Sequence, residues 1–266
     1  MTHLRVVSVC AFTLLACGGA APPDARPPTA SVPSAALQTG TGASAGEAAR
    51  AAQEKRGTSL SDGAPVAFRD EFATVELDAP WNAFGAQNGN RELSGGADGL
   101  WIKIADAEKA WDAVGARTAK LKVDGDFDLR GRFHDFSARG NGSAKLIVVD
   151  ASSPRGEAAY VERIQVDGKN LFKFGGEVEG SLENWGFVPT EGSSGDLRLT
   201  RQGGMLHAYA RPNEGSSWRE FAPAQKVPRS MPRIVKFGMK LSAEAHRSAQ
   251  VRWTEITVNG QVIRSE

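Results

Sequence analysis

From Ala67 onward, apolar and polar positions alternate with a period of two rather than 3.6. That spacing sends successive side chains to opposite faces of a strand. Val235, Phe237, Met239 and Leu241 are separated by Lys236, Gly238 and Lys240. Phe127, Leu129 and Phe133 are separated by Asp128, Arg130 and Arg132, with Gly131 at an inward position and His134 closing the outward set. Leu197 to Thr200 runs through Arg201-Gln202-Gly203-Gly204 into Leu206 to Ala210. This predicts a hairpin, because adjacent glycines supply the positive φ angles of a tight turn. The pattern predicts further strands over 67–72, 99–104, 117–123, 144–150, 159–166, 171–178, 217–221 and 251–258. Asp124-Gly125, Gly140-Asn141-Gly142, Asp167-Gly168, Gly192 to Gly195 and Asn213-Glu214-Gly215 mark turns. Many short strands and no long helical pattern predict an all-β domain: a two-sheet antiparallel jelly-roll sandwich around one core.

The first 65 residues read differently. Val6 to Leu15 is an apolar run preceded by a single basic residue, Arg5. It is much shorter than the roughly 20 residues a spanning helix needs. It ends Leu14-Leu15-Ala16-Cys17, which resembles the lipobox of bacterial lipoproteins. The resemblance implies a signal peptide over 1–16 and a lipidated Cys17 at the mature N-terminus, with the lipid bilayer as partner through that acyl group. Gly18 rather than Asp after the cysteine implies a lipid-anchored place in the cell envelope, at the outer membrane. The alternative is an ordinary signal peptide that contains a cysteine. From Gly18 to Pro65, Ala, Pro, Gly, Ser and Thr dominate and large apolar residues almost vanish. Such a stretch buries too little apolar area to offset its ordering entropy. Residues 17–65 are therefore expected to be a disordered tether, and 66–266 the folded domain.

Composition adds mainly exclusions. With 32 Lys+Arg against 31 Asp+Glu, the formal net charge is +1, which gives no support for a nucleic-acid partner. The only cysteines are Cys10 and Cys17, so the folded part has neither a disulfide framework nor a thiolate metal site.

Three segments point to a family. Phe68-Arg69-Asp70-Glu71-Phe72 with Leu77-Asp78-Ala79-Pro80-Trp81 is the first, and Gly125-Asp126-Phe127-Asp128-Leu129 the second. The third runs from Gly195 to Arg201, then Leu206-His207-Ala208-Tyr209, Gly215 and Trp218. Together they resemble the concanavalin A-like lectin/glucanase (LamG-like) domains over nearly all of 67–266. The resemblance implies a jelly roll whose closing strand, 251–258, pairs near the first, and chemistry directed at glycans.

Catalysis finds little support in the residues. Glycoside hydrolysis needs two carboxylates flanking the scissile bond, and the Glu-x-Asp-x-x-Glu strand motif of the family's glucanases is absent. The nearest cluster, Glu177-Val178-Glu179 with Glu183, is flanked by Gly175-Gly176 and Gly180-Ser181 and reads as a solvated hairpin end. His207 and Tyr209 share a face with Arg198 and Arg211, the residue types a polysaccharide lyase uses, but the lyases' own strand motifs do not match. Asp124, Asp126 and Asp128 offer alternating oxygen ligands for calcium. Leu129 and Asp135 stand where an EF-hand loop wants Gly and Glu, and strand alternation explains the acids. No metal site, cofactor or catalytic residue is expected.

The outward positions are more informative. Arg130, Arg132, His134, Arg163, Gln165, Arg198, Thr200, His207, Tyr209, Arg211, Lys236, Lys240 and Arg252 form a basic set. Guanidinium forks grip carboxylate or sulfate, so the set suits an anionic or neutral polysaccharide. Its bland alternative is a solvated sheet face. Trp111 and Trp185, placed on loops, are candidate sugar platforms, whereas Trp81, Trp218 and Trp253 are expected to pack. The leading expectation is a membrane-anchored lipoprotein with a noncatalytic carbohydrate- or envelope-binding domain. The alternatives are a glycoside hydrolase or polysaccharide lyase and a structural or interaction subunit.

Overall fold

The computed structural model describes residues 66–264 apart from 75–76, 78, 86–88, 153–156, 179–180 and 213–214. The segments expected as a signal peptide (1–16) and a tether (17–65), Cys17 among them, lie outside the described residues. Among the described residues sixteen strands follow one another: β1 (Phe68–Asp70), β2 (Trp81–Phe84), β3 (Arg91–Ser94), β4 (Leu100–Ile104), β5 (Trp111–Thr118), β6 (Leu121–Arg139), β7 (Gly142–Asp150) and β8 (Glu157–Val166). The second half comprises β9 (Lys169–Val178), β10 (Ser181–Pro189), β11 (Gly195–Gln202), β12 (Met205–Arg211), β13 (Arg219–Glu220), β14 (Gln225–Lys226), β15 (Ile234–Glu244) and β16 (Ser248–Arg264).

Every pairing is antiparallel, and the strands form two layers. One, the front sheet, runs β10-β9-β8-β7-β15-β5-β2. The other, the back sheet, runs β3-β4-β16-β6-β11-β12, with β1 on β16 and the short β13 and β14 on β12. The layers join at a corner, where Ile234 and Val235 of β15 pair with Asp124 and Val123 of β6. Leu146 and Phe237 from the front sheet and Phe133, Leu197 and Trp253 from the back are buried in a single core. Gly131 of β6 sits inside the core, against Trp253 and Leu146. A Cβ there would come within 2.8 Å of Trp253 and 3.0 Å of Leu146, so this inward position has room for no side chain. The result is a concanavalin A-like jelly-roll sandwich.

The β11–β12 hairpin forms as the paired glycines require, with Gln202 opposite Met205 and φ of 57° and 79° at Gly203 and Gly204. The closing strand does pair with the first, Phe68 opposite Val258. Other expectations are corrected. The strand expected over 117–123 is the end of β5, a turn at Ala119-Lys120 and the start of β6. Neither turn residue is Gly, Pro, Asn or Asp, so the alternation reads straight through it. The turn expected at Asp124-Gly125 is a bend inside the 19-residue β6, where Gly125 takes a φ of 70°. Gly175-Gly176 lie inside β9 rather than in a turn. Strand β10 escapes a period-two reading because a bulge between Asn184 and Gly186 shifts its phase.

Candidate functional site

Strand register gathers most of the basic set on the outward face of the back sheet. Arg132, Asp196 and Arg211 form one transverse row, Arg130, Arg198 and Tyr209 the next, and Asp128, Thr200 and His207 the third. His134 lies further along β6, opposite Arg252. Two carboxylates organise the arginines. Asp128, fully buried, accepts from Arg198 Nε at 2.8 Å and from Arg130 at 2.7 Å. Asp196 accepts from Arg132 Nε at 2.9 Å and from Arg211. Trp218 covers the ladder: the guanidiniums of Arg211, Arg198 and Arg130 lie 4.6, 5.7 and 6.0 Å from its ring. His207 Nδ1 is 2.7 Å from Glu220 Oε1, and its ring stacks on Tyr209. Burial, with Glu220 nearby, pushes the Tyr209 phenol up to about 12. Burial and the neighbouring Arg252 hold the His134 imidazole below the usual histidine range.

Three sequence-selected residues lie elsewhere. Arg163 points into the space between the sheets, contrary to its expected outward position. Its Nε donates to the Gly192 carbonyl at 2.8 Å and its terminal nitrogen to the Ile164 carbonyl at 2.8 Å. Burial draws its pKa down to about 10. Trp185 packs on Phe174 edge to face, ring centroids 4.8 Å apart, and its indole N–H donates to Glu183. Trp111 opens β5 and is 50% exposed. The three acids read as a calcium pattern disperse: Asp124 pairs with Arg233, Asp126 accepts from the Gly203 amide, and Asp128 holds the arginines. Among the described residues no cluster of three metal-ligating side chains occurs.

The front sheet's outward face carries a second constellation, of which the sequence reading selected only Lys236 and Lys240. Phe187, Lys173, Glu162, Lys145, Lys240, Gly115 and Phe84 stand directly opposite one another across seven strands. Glu162 is only 1% exposed, and its carboxylate lies 3.5 Å from the Lys173 ammonium and 3.6 Å from that of Lys145. Its Oε2 makes no hydrogen bond. In the next row Tyr160 lies over Gly175, where a Cβ would fall 2.5 Å from the phenol oxygen. Lys145 stands 4.2 Å above the Tyr160 ring and Lys173 5.7 Å from it. Burial and the adjacent Glu162 raise the Tyr160 pKa. Lys236, on the same face, is held below the ordinary lysine range by burial and by Arg117 and Lys122. At one end of the row Phe187 is 59% exposed.

A signal for this row exists in β8. Ala159-Tyr160-Val161-Glu162-Arg163-Ile164 has apolar residues on both faces, so alternation alone does not say which set is inward. Counting Arg163 as outward puts Glu162 inside. The structure has the opposite phase.

Residues 48–265 match the family described as "Protein of unknown function (DUF1583) C domain". No curated protein matches the sequence. Among solved structures, a beta-1,3-glucanase from Mycobacterium marinum is 11% identical, with a TM-score of 0.50, covering 74% of this chain and 100% of its own. The CBM2 module of the evolved Dit protein of Lactobacillus casei BL23 phage J-1 is 7% identical, with a TM-score of 0.54 over 73% of this chain and 94% of its own. A functionally unknown protein from Saccharomyces cerevisiae is 11% identical, with a TM-score of 0.53 over 68% and 97%. These similarities concern the fold.

Proposed function

Starting from a chain that belongs to the DUF1583 C-domain family and is built as a concanavalin A-like sandwich, we propose that the domain is a noncatalytic glycan-binding module. In this reading Cys17 is lipidated and holds the protein at the bacterial cell envelope, the tether spaces the domain from the bilayer, and the ligand lies across the front sheet.

The observation that carries the reading is the transverse row from Phe187 to Phe84. Strands about 4.8 Å apart make it roughly 29 Å long, a length suited to an extended oligosaccharide. It offers an exposed ring at one end for stacking against a sugar face and N–H donors along its middle. Names among the fold's neighbours, a beta-1,3-glucanase and a CBM2 module, agree with a glycan ligand.

The same row argues against hydrolysis. Glu162 is its single carboxylate. The next outward acids, Glu177 on β9 and Glu244 on β15, lie four residues beyond Lys173 and Lys240 along their strands. That is about 13 Å, whereas paired glycosidase carboxylates stand roughly 5–10 Å apart. On the back face, a Tyr209 phenol pushed up to about 12 is a poor proton acceptor for a lyase at neutral pH.

The test is retention of the full chain, in detergent micelles, on a panel of immobilised polysaccharides, with the same tubes assayed for released sugar. Retention without product is the expected result. Product release would replace the binding module with an enzyme, and absence of any retention would remove the glycan altogether.

A further inference from the structure

We propose a second binding site, on the outward face of the back sheet: a polar trough across β3, β4, β16 and β6 that takes a small hydroxylated carboxylate, the chemistry of a uronic acid mono- or disaccharide. It lies on the opposite sheet from the Phe187–Phe84 row and does not depend on it.

The trough follows from register. Glu92, Lys103, Gln250 and Ser137 stand opposite one another on four strands. Two residues along, Ser248 faces Arg139, and the Ala105 amide donates to the Asn90 carbonyl. Between these rows Ile104 and Ala249 are buried in the core and Ala138 packs against it, so peptide backbone floors the gap. Because Ala105, Ser137 and Ser248 are short, the gap stays open. The trough encloses about 440 Å³, within the roughly 300–1,000 Å³ of small-molecule sites. Four strands about 4.8 Å apart make it roughly 14 Å long, room for two sugar rings.

Its lining sets the ligand chemistry. At the β6 end lies the Arg139 side chain, which makes no hydrogen bond or ion pair among the described residues. Gln165 Nε2 donates to the Ala138 and Gly140 carbonyls at 3.1 and 3.2 Å, holding the backbone on both sides of Arg139. A guanidinium fork that no acid of the fold engages suits a ligand carboxylate. In the middle, the Gln250 amide and the Ser137 and Ser248 hydroxyls likewise have no hydrogen-bond partner among the described residues. Each can donate and accept, as sugar hydroxyls require. At the β3 end charge is already balanced: Glu92 accepts from Ser94 Oγ at 2.8 Å and lies 3.4 Å from Lys103 Nζ. The Ser94 hydroxyl and the Lys103 ammonium hold the Glu92 carboxyl below the usual carboxylate range, so it stays an acceptor for ligand hydroxyls at neutral pH. One positive charge at one end is left for the ligand, with neutral hydrogen-bonding groups beside it. That asymmetry favours a monoanion over a neutral sugar. No aromatic ring is among the described residues that line the trough, so a nucleobase finds no stacking surface there.

Calorimetric titration of the full chain in micelles with cellobiouronate, cellobiose and acetate tests the site. Cellobiouronate is expected to bind about tenfold or more tightly than cellobiose, which lacks the carboxylate, or acetate, which lacks the hydroxyls. Arg139→Gln should bring cellobiouronate down to the level of cellobiose, and Arg139→Lys should recover part of the loss. Ser137→Leu fills the trough without altering its charge and should weaken both disaccharides severalfold. Both positions are exposed, so melting temperatures should stay unchanged. Equal affinity for cellobiouronate and cellobiose would overturn the carboxylate seat, and acetate bound as tightly as cellobiouronate would overturn the sugar class. Undiminished cellobiouronate binding in folded Arg139→Gln and Ser137→Leu proteins, or no binding at millimolar ligand, would overturn the site itself.

Discussion

The outward faces of the two sheets are both rich in cations and dispose of them differently. On the back sheet, Arg130 and Arg198 close on Asp128, and Arg132 and Arg211 on Asp196, each pair bridged by a buried carboxylate and the ladder roofed by Trp218. On the front sheet, Lys145 and Lys173 share the carboxylate of Glu162 at 3.6 and 3.5 Å, and Lys240 stands opposite Lys145. Arginine's planar fork makes short, directional bonds to a carboxylate and is consumed by them. The lysine ammonium acts as a compact point charge on a flexible stem. A basic residue count therefore says little about which face holds a ligand. The geometry by which each cation meets its acid within the fold says much more.

The contrast can be broken from the back sheet first. Asp128→Ala removes the carboxylate that the buried Arg198 and its neighbour Arg130 share, and should cost about 3–5 kcal/mol of folding stability in chemical denaturation. The variant that remains folded should retain polysaccharide as before. Trp218→Ala removes the roof over three guanidiniums and should cost about 1–3 kcal/mol, again with unchanged retention. Loss of retention in a folded Trp218→Ala protein would transfer the binding site to the back sheet.

From the front sheet the signature reverses. Phe187→Ala should change stability by no more than about 0.5 kcal/mol, since the ring is exposed, yet weaken polysaccharide binding severalfold.

The smallest effect is one of pH. Because the folded His134 pKa lies below that of the unfolded chain, the unfolded state takes up a proton first as pH falls. Stability should decline through the ordinary histidine range and level off below the folded pKa. His134→Gln should flatten that part of the thermal-melt profile without altering polymer binding.

Much of the fold was legible in the sequence because its strongest strands have one apolar face. In 235–241 and 127–133 the inward set is apolar without exception save the glycine under Trp253, and the paired glycines at 203–204 announce their hairpin. The back-face cluster was legible for the same reason: once the core set is assigned, Arg130, Arg132, Arg198, His207, Tyr209 and Arg211 have one side left. Their partners were not. Asp128 and Asp196 sit in the same alternation, but nothing local shows that one carboxylate will serve two strands. The front face failed at β8, where Tyr160 and Ile164 point outward and Arg163 inward. There tertiary contacts, the Gly192 carbonyl for Arg163 and the space above Gly175 for Tyr160, override the rule that charge faces water. Trp185, selected as a platform, is drawn against Phe174 by a bulge that alternation does not forecast.

The central claim is that the retained polysaccharide meets the front sheet and leaves the arginine ladder of the back sheet untouched. Amide hydrogen exchange of the full chain in micelles, with and without that polysaccharide at saturation, tests it most directly. The account predicts slowed exchange in β8, β9 and the edge strand β10, and unchanged exchange in β11 and β12. Slowing confined to β11 and β12 around the arginine ladder would contradict it.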